Sequence, residues 1–127
     1  MTLLCDTQIL LWFATRSPRL TPAIQDLIEA TDEVWFSVVS IWEVALKRTR
    51  HRGDFPYEAP VLRASLLAND FREIAVEGAH ALAVADLPPH HGDPYDRMLV
   101  AQARAEGLML LTADRTLAAY GPPVRLV

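Results

Sequence analysis

The sequence predicts an α/β fold with a central, mostly parallel sheet flanked by helices. Along the 127 residues, short apolar runs alternate almost strictly with segments of helical periodicity. This alternation is typical of βαβ units, in which each crossover returns the chain to a parallel strand. Half of the residues (51%) are hydrophobic, which is enough for a packed core without disulfide bonds. We therefore expect a single domain over residues 1–127.

The first half of the chain contains two predicted strands, each followed by a helix. The strands are the apolar runs TLLC (2–5) and EVWFS (33–37). The helix after the second strand begins at Ser37 or Ser40. Thr21-Pro22 opens a further helix, with proline at the first helical position, where it is favoured. Another helix is predicted over 59–69, after a loop.

The second half of the chain alternates in the same way. Strands are predicted over 72–76, 107–112 and 123–127, and helices over 78–85, 94–106 and 113–120. The helix over 94–106 is the best marked, because proline stands at its first position and a glycine follows its end. The proline-rich loop LPPHHGD precedes it.

Composition and charge limit the class of protein. The net charge of −4 argues against a protein that coats nucleic acid generally, but it allows local contact with nucleic acid. Cys5 is the single cysteine, so no intramolecular disulfide is possible. The first residues lack the basic region of a signal peptide, and no apolar segment is long enough to span a bilayer. We therefore expect a cytoplasmic protein without membrane contact.

Four acidic residues lie where chemistry is expected in such a sheet. Ligands of open α/β sheets bind at the carboxyl ends of the strands. Each of the four follows a predicted strand or lies in a helix that leaves this edge. The four are Asp6, Glu43, Asp96 and Asp114. Each also has a purely structural interpretation: Asp6 and Asp114 are suitable helix N-caps, and Ser40 with Glu43 has the spacing of a capping box.

The two aspartates of HHGDPYDRMLVAQA (90–103) point in different directions. Asp93 precedes the proline, so it can cap the helix and pair with Arg97 four residues later. Asp96 shares a helix face with Leu99 and Ala103, because positions three, four and seven residues apart lie on one face. This face is apolar. We therefore expect the Asp96 carboxylate to point inward, at the edge of the core.

Inward-facing carboxylates favour a metal site. Glu43 lies in a helix that is apolar nearly all round, and the sequence marks out no lysine or arginine as its partner. A buried lone carboxylate is costly, and several that converge repel one another. A hard divalent cation such as Mg²⁺ or Mn²⁺ resolves this, because it prefers oxygen ligands. Such a cation can activate water and polarise a phosphoryl oxygen, which is the chemistry of phosphodiester hydrolysis.

Four segments of the chain together resemble PIN-domain ribonucleases, and more narrowly the VapC-type toxins of type II toxin–antitoxin pairs. They are Asp6-Thr7, SIWEVALK (40–47), HHGDPYDRMLVAQA and LLTAD (110–114). The resemblance covers the whole chain in the expected order. It implies a PIN-like fold and endonucleolytic cleavage of RNA that depends on Mg²⁺ or Mn²⁺. It also implies a cognate antitoxin that inhibits the protein, and a homodimer.

The resemblance assigns roles by position. The catalytic and metal-binding acids would be Asp6, Glu43, Asp96 and Asp114. The accessory residues would be Asp93 before the proline and the hydroxyl residues Thr7 and Thr112.

Basic and aromatic residues near these motifs are candidates for further roles. Candidates for RNA contact are the cluster Lys47, Arg48, Arg50 and Arg52 together with Arg97 and Arg115, although the cluster also suits a solvated helix end. His90 and His91 shape the mouth of the site or contact RNA; a zinc site is disfavoured because no cysteine joins them. The three tryptophans are expected in the core.

Two other function classes remain open from the sequence. A phosphotransfer protein also carries an aspartate after its first strand, but a phosphatase of the haloacid dehalogenase type needs a second aspartate where this chain has Gln8. A receiver domain needs a late lysine, and Lys47 is the only lysine. A non-catalytic PIN-fold protein-binding module is the main alternative.

Overall fold

Five parallel strands form the central sheet of this computed structural model, which describes residues 2–51, 53 and 55–127. In chain order they are β1 (Thr2–Cys5), β2 (Glu33–Ser37), β3 (Arg72–Ile74), β4 (Met109–Thr112) and β5 (Val124–Leu126). Their order across the sheet is β3-β2-β1-β4-β5, and every pair is parallel. The predicted parallel sheet is confirmed. The last three strands are shorter than the sequence pattern predicts.

In the described part of the chain, six helices and one 3₁₀ turn connect the strands. They are α1 (Thr7–Ala14), α2 (Pro22–Ala30), α3 (Val38–Arg50), α4 (Ala59–Ala68), α5 (Gly78–Val84), α6 (Pro94–Glu106) and the 3₁₀ turn Leu117–Tyr120. The helix predicted over 113–120 is therefore reduced to this single turn. Within the described residues, no helix has the length and apolar character needed to cross a membrane.

The sheet has a packed core on each face. Successive side chains of a strand point to opposite faces. Leu3 accordingly packs into one core, with side chains of α1, α2 and α4, and Leu4 packs into the other, with α6 and the 3₁₀ turn. Helix α3 contributes Val44 to the first core and Val39 to the second. The helices therefore cover both faces and leave the carboxyl edge of the sheet open for a site.

The strand order places the carboxyl ends of β1 and β4 side by side. The chain builds outward from β1 to β3 and then crosses back to β4, so the direction of winding changes between β1 and β4. Cys5 pairs with Leu111 in this register. Clefts at such a switch point are the usual ligand sites of open α/β sheets.

Helix α3 begins earlier than a capping box at Ser40 requires. Its N-cap is Ser37, whose hydroxyl accepts a hydrogen bond from the Val39 N–H (3.1 Å) and donates to Oε1 of Gln102 (2.6 Å). Ser40 therefore lies inside the helix, and the predicted pairing of Ser40 with Glu43 is wrong. Because the helix starts at Val38, Glu43 lies in its second turn. Its carboxylate is not used to cap the helix and lines the open edge of the sheet.

Arg97 ties the proline-rich loop to the rest of the fold. Its guanidinium donates to the carbonyl oxygens of Val84 (3.1 Å) and Pro88 (3.0 Å) and to the Tyr120 hydroxyl (3.1 Å). The predicted pairing with Asp93 is not among the contacts of the described residues, because the planar fork is directed at this loop. The structure thus shows Arg97 holding the loop, and the RNA contact expected from the sequence stays a prediction.

We expect Arg97→Lys to lower the free energy of unfolding by about 1–3 kcal/mol, because a lysine ammonium cannot bridge several acceptors as a planar guanidinium does. Urea denaturation measures the change, with Arg125→Lys on the exposed edge strand as the control. Equal stability of Arg97→Lys and the wild type would show that these bonds contribute nothing.

Candidate functional site

Asp6 lies at the junction of β1 and α1, beside the end of β4. Its N–H donates to the Leu111 carbonyl oxygen (3.0 Å), which continues the pairing of the two strands. One carboxylate oxygen accepts from the Ile9 N–H (2.9 Å), so Asp6 is the N-cap of α1, as predicted. The other accepts from the Thr112 hydroxyl (2.5 Å). The side chain is almost fully buried, and these two bonds fix its direction.

Glu43 projects from the second turn of α3 and is also buried. Its Oε1 accepts from the Thr7 hydroxyl (2.6 Å), which also lies 2.9 Å from the Ser40 hydroxyl. Its Oε2 lies 2.5 Å from Nζ of Lys47, one helical turn later. The expectation that Glu43 has no cationic partner is therefore wrong. Lys47 was a candidate for RNA contact, and the structure gives it this second role.

Asp93 caps α6 and Asp96 points inward from its first turn, as the sequence predicts. Asp93 Oδ1 accepts from the N–H groups of Tyr95 (2.8 Å) and Asp96 (3.1 Å), so it caps the helix. The Asp96 side chain is only 18% exposed and turns toward the open edge of the sheet. The cap holds the first turn of α6 and thereby the position of Asp96.

A single cleft brings most of the predicted acids together. It has a volume of about 400 Å³ and lies at the carboxyl edge of the sheet. The acids that line it are Asp6, Glu43, Asp93 and Asp96, and the cations that line it are Lys47 and Arg19. Arg19 could not be selected from the sequence, because it lies in the α1–α2 connection, outside the motifs.

Asp114 lies beside this cleft rather than in its lining. Its Oδ1 accepts from the Thr116 N–H (2.9 Å) and from the Thr116 hydroxyl, so it closes a turn and does not cap the 3₁₀ turn. Its Oδ2 lies 3.2 Å from Nε2 of His91, and the same nitrogen lies 3.4 Å from Oδ2 of Asp96. His91 therefore connects Asp114 to the acids of the cleft. The sequence signal for His91 was its place in the same motif as Asp93 and Asp96.

Burial and mutual repulsion raise the pKa of two acids. Burial raises the pKa of Asp6 to about 6; bonds from Thr112 and Ile9 oppose this, and the charges of Asp114 and Glu43 add to it. Burial raises the pKa of Asp96 to about 7, and neighbouring carboxylates, Asp93 foremost, raise it further. The pKa of Asp114 is lowered instead, chiefly by the hydrogen bond from Thr116.

Lys47 is the cation most tightly held against the acids. Partial burial lowers its pKa, but the hydrogen bond and charge of Glu43, with the charges of Asp93 and Asp96, outweigh this effect and leave the pKa raised. The ammonium therefore stays charged. About 44% of the side chain is still exposed at the cleft.

The other basic candidates have different surroundings. Arg48 donates to the Phe55 carbonyl oxygen (2.9 Å) and lies 3.6 Å from Glu58. Arg50 and Arg115 are exposed, and Arg52 lies outside the described residues. His90 is exposed as well and stacks edge-on against Tyr120, with 5.1 Å between ring centroids.

Trp42 does not lie in the core. It is 55% exposed and packs edge-on against Tyr95, with 5.1 Å between ring centroids. Trp12 and Trp35 are half-buried against the two cores. The prediction of a buried Trp42 is wrong because the surface of α3 that carries it is left uncovered.

The oxygen-rich cleft is suited to a hard divalent cation. Carboxylates of Asp6, Glu43 and Asp96 line it, with Asp114 beside them. Within the described part of the chain, no lysine or arginine lies at salt-bridge distance from Asp6 or Asp96. Mg²⁺ and Mn²⁺ favour such ligands, and a bound cation would stabilise the ionised form of both acids.

Comparison with known proteins gives a consistent result. A family model described as PIN domain matches residues 3–121. Ribonuclease VapC22 of Mycobacterium tuberculosis (strain ATCC 25618 / H37Rv) is 31% identical over 124 residues, which cover 96% of this chain and 94% of that protein. Among solved structures, VapBC2 from Rickettsia felis bound to a DNA fragment from their promoter superposes with a TM-score of 0.71 at 13% identity, over 100% of this chain and 98% of that one. A toxin–antitoxin complex from Klebsiella pneumoniae gives a TM-score of 0.67 at 21% identity, over 97% and 95%. The chain therefore belongs to the PIN-domain family and, within it, to the VapC group.

Proposed function

We propose that this protein is a metal-dependent endoribonuclease that acts as the toxin of a type II toxin–antitoxin pair and is inhibited by a cognate antitoxin. The observation that carries the proposal is the cleft in which Asp6, Glu43 and Asp96 converge, in a chain of the VapC group. Phosphodiester hydrolysis is a reaction for which such a set of carboxylates, together with a divalent cation, is suited.

The carboxylates would hold Mg²⁺ or Mn²⁺. Asp6 and Asp96 are the best placed, because both are largely buried and neither has a lysine or arginine partner within the described residues. Such a cation, when bound, supplies an activated water and polarises a phosphoryl oxygen. Asp114 would act through water, since it lies beside the cleft rather than in its lining.

The remaining residues of the site orient these groups. The Thr112 hydroxyl fixes one oxygen of Asp6, and the Thr7 hydroxyl fixes one oxygen of Glu43. Asp93 caps α6 and so holds Asp96 at the edge of the cleft. Lys47 also lines the cleft, where the donors that it does not use for Glu43 would contact an RNA phosphate.

RNA and protein partners belong to the same proposal. The exposed Arg50 and Arg115 would contact the phosphate backbone outside the cleft, with Arg48 a further candidate. The Klebsiella pneumoniae structure of similar fold is a toxin–antitoxin complex by description, which supports a protein antitoxin as the partner. We also propose a homodimer and a cytoplasmic location; sedimentation of the antitoxin-free protein measures the first.

The test is cleavage of total cellular RNA by the purified, antitoxin-free protein. Parallel reactions contain Mg²⁺, Mn²⁺, or chelator followed by restoration of the cation. We expect discrete fragments only where a divalent cation is present. The Asp96→Asn protein, purified identically, excludes a contaminating nuclease.

Two other outcomes would change the proposal. Cleavage that persists in chelator would remove the metal from the mechanism. A folded protein that neither cleaves RNA nor binds Mg²⁺ or Mn²⁺ would favour the non-catalytic protein-binding module.

A further inference from the structure

His91 lies between two acids that come from different parts of the chain. Its Nε2 is 3.2 Å from Oδ2 of Asp114 and 3.4 Å from Oδ2 of Asp96. The side chain is only 17% exposed. The imidazole nitrogen and the two carboxylate oxygens lie within 4.8 Å of one another, a spacing at which three atoms can share one cation. An imidazole in this position can either bind a cation or donate a hydrogen bond to the carboxylates.

The other ring nitrogen decides between these two roles. Nδ1 of His91 lies 3.0 Å from the backbone N–H of Asp93. A backbone N–H is a donor and never an acceptor. Nδ1 must therefore offer its lone pair and carries no proton, so the neutral ring has its proton on Nε2. The nitrogen that faces the two carboxylates is a donor, with no lone pair to offer a cation.

This arrangement is the opposite of that around a metal-bound histidine. Such a histidine donates its second N–H to a carboxylate or carbonyl oxygen, which leaves the first nitrogen free for the metal. Here the second nitrogen accepts instead. For Nε2 to bind a cation, the ring would have to lose the bond from Asp93, the residue that caps α6.

We propose that His91 is a positioning residue, whose Nε2–H donates to the Asp114 carboxylate, lies against the Asp96 carboxylate, and holds both in place for a cation that it does not itself bind. The proposal rests on the proposed metal site. The nitrogen lies near one oxygen of each carboxylate: it is hydrogen-bonded to Oδ2 of Asp114 (3.2 Å) and lies 3.4 Å from Oδ2 of Asp96. Within the described residues, no hydrogen bond reaches Oδ1 of Asp96, so this oxygen keeps its lone pairs for a cation.

The first test determines the position of the ring proton directly. Long-range ¹H–¹⁵N correlation spectra of the full-length, ¹⁵N-labelled protein distinguish the two neutral tautomers, and the His91 signals are assigned by their absence from a variant. We expect the Nε2–H tautomer both without metal and with saturating Mg²⁺, which is diamagnetic. An Nδ1–H tautomer in the presence of Mg²⁺ would overturn the proposal.

Two amide variants test separately the contact of Nδ1 with the Asp93 N–H and the contact of Nε2 with the carboxylates. In His91→Gln, the terminal amide can reach the position of Nε2 and donate to the carboxylates. In His91→Asn, the shorter amide can accept from the Asp93 N–H but cannot reach them. We expect His91→Asn to weaken the binding of both Mg²⁺ and Mn²⁺ by about tenfold or more, as loss of a positioning contact typically does, and His91→Gln to restore most of it.

The ratio of the Mn²⁺ affinity to the Mg²⁺ affinity shows whether His91 positions the carboxylates or binds the cation itself. A nitrogen ligand favours Mn²⁺ over Mg²⁺, so its loss would weaken Mn²⁺ binding selectively. We expect the ratio to stay unchanged, as measured by calorimetry, with His90→Gln as the control because His90 is exposed and does not contact the acids.

A selective loss of Mn²⁺ affinity, or no loss in His91→Asn, contradicts the proposal. If the wild type binds no cation, the proposed metal site fails, and the tautomer still decides whether His91 is the donor.

Discussion

Replacing Asp96 by asparagine is expected to lower RNA cleavage by at least about 100-fold and, in the absence of metal, to make the protein more stable. The two effects have one cause. Asp96 is largely buried, and Asp93, Asp6 and Glu43 all act on it as like charges. Asparagine keeps the size of the side chain but removes the charge. The repulsion between the carboxylates of the cleft therefore falls, and the attraction of the cleft for a cation falls too.

Cleavage assays and thermal denaturation at about pH 8, both on antitoxin-free protein, measure the two effects. Asp86→Asn is the matched control, because it makes the same chemical change at an exposed position after α5. It should alter neither quantity. A stable Asp96→Asn protein with full activity would remove Asp96 from the site, and a destabilised one would mean that the carboxylate contributes to the fold rather than to the chemistry.

Local pattern was sufficient to predict most of the elements and to select four acids, of which all but Asp114 line one cleft. The alternation of apolar runs and helical segments predicted a parallel sheet, and a parallel sheet places the residues after its strands on one edge. Asp6, Glu43 and Asp96 were selected on this ground and do line one cleft. The inward direction of Asp96 followed from the helical period alone.

Contacts between distant segments could not be predicted in this way. His91 meets Asp114 across 23 residues, because the loop before α6 folds back over the end of β4. The exposure of Trp42 depends on which surface of α3 other helices leave uncovered. The Lys47–Glu43 pair, by contrast, is a local contact: the two residues lie four apart in α3, a spacing at which helical side chains meet, so the sequence could have predicted it.

Metal binding is expected to weaken by about 100-fold between about pH 8 and about pH 5.5. Asp6 has a pKa of about 6 and Asp96 of about 7, and both must be ionised to hold a cation. At about pH 5.5, about one molecule in four has the first acid ionised and about one in thirty the second, so about one in a hundred has both. Calorimetric titration with Mg²⁺ across this range measures the change.

Without metal, the free energy of unfolding should depend on pH through the same two acids. It should fall as the pH rises, whereas the metal affinity increases. Both folded-state pKa values are raised, so the folded protein binds more protons than the unfolded chain between about pH 4 and about pH 7. Stability is therefore lost as the pH rises through this window, and added Mg²⁺ should restore it at high pH but not at low pH. The lowered pKa of Asp114 acts in the other direction, but only in more acidic solution. Asp96→Asn should flatten the pH profile. A metal affinity that does not change over this pH range would contradict the prediction, because it would mean that the two carboxylates do not gain protons in this range or do not bind the cation.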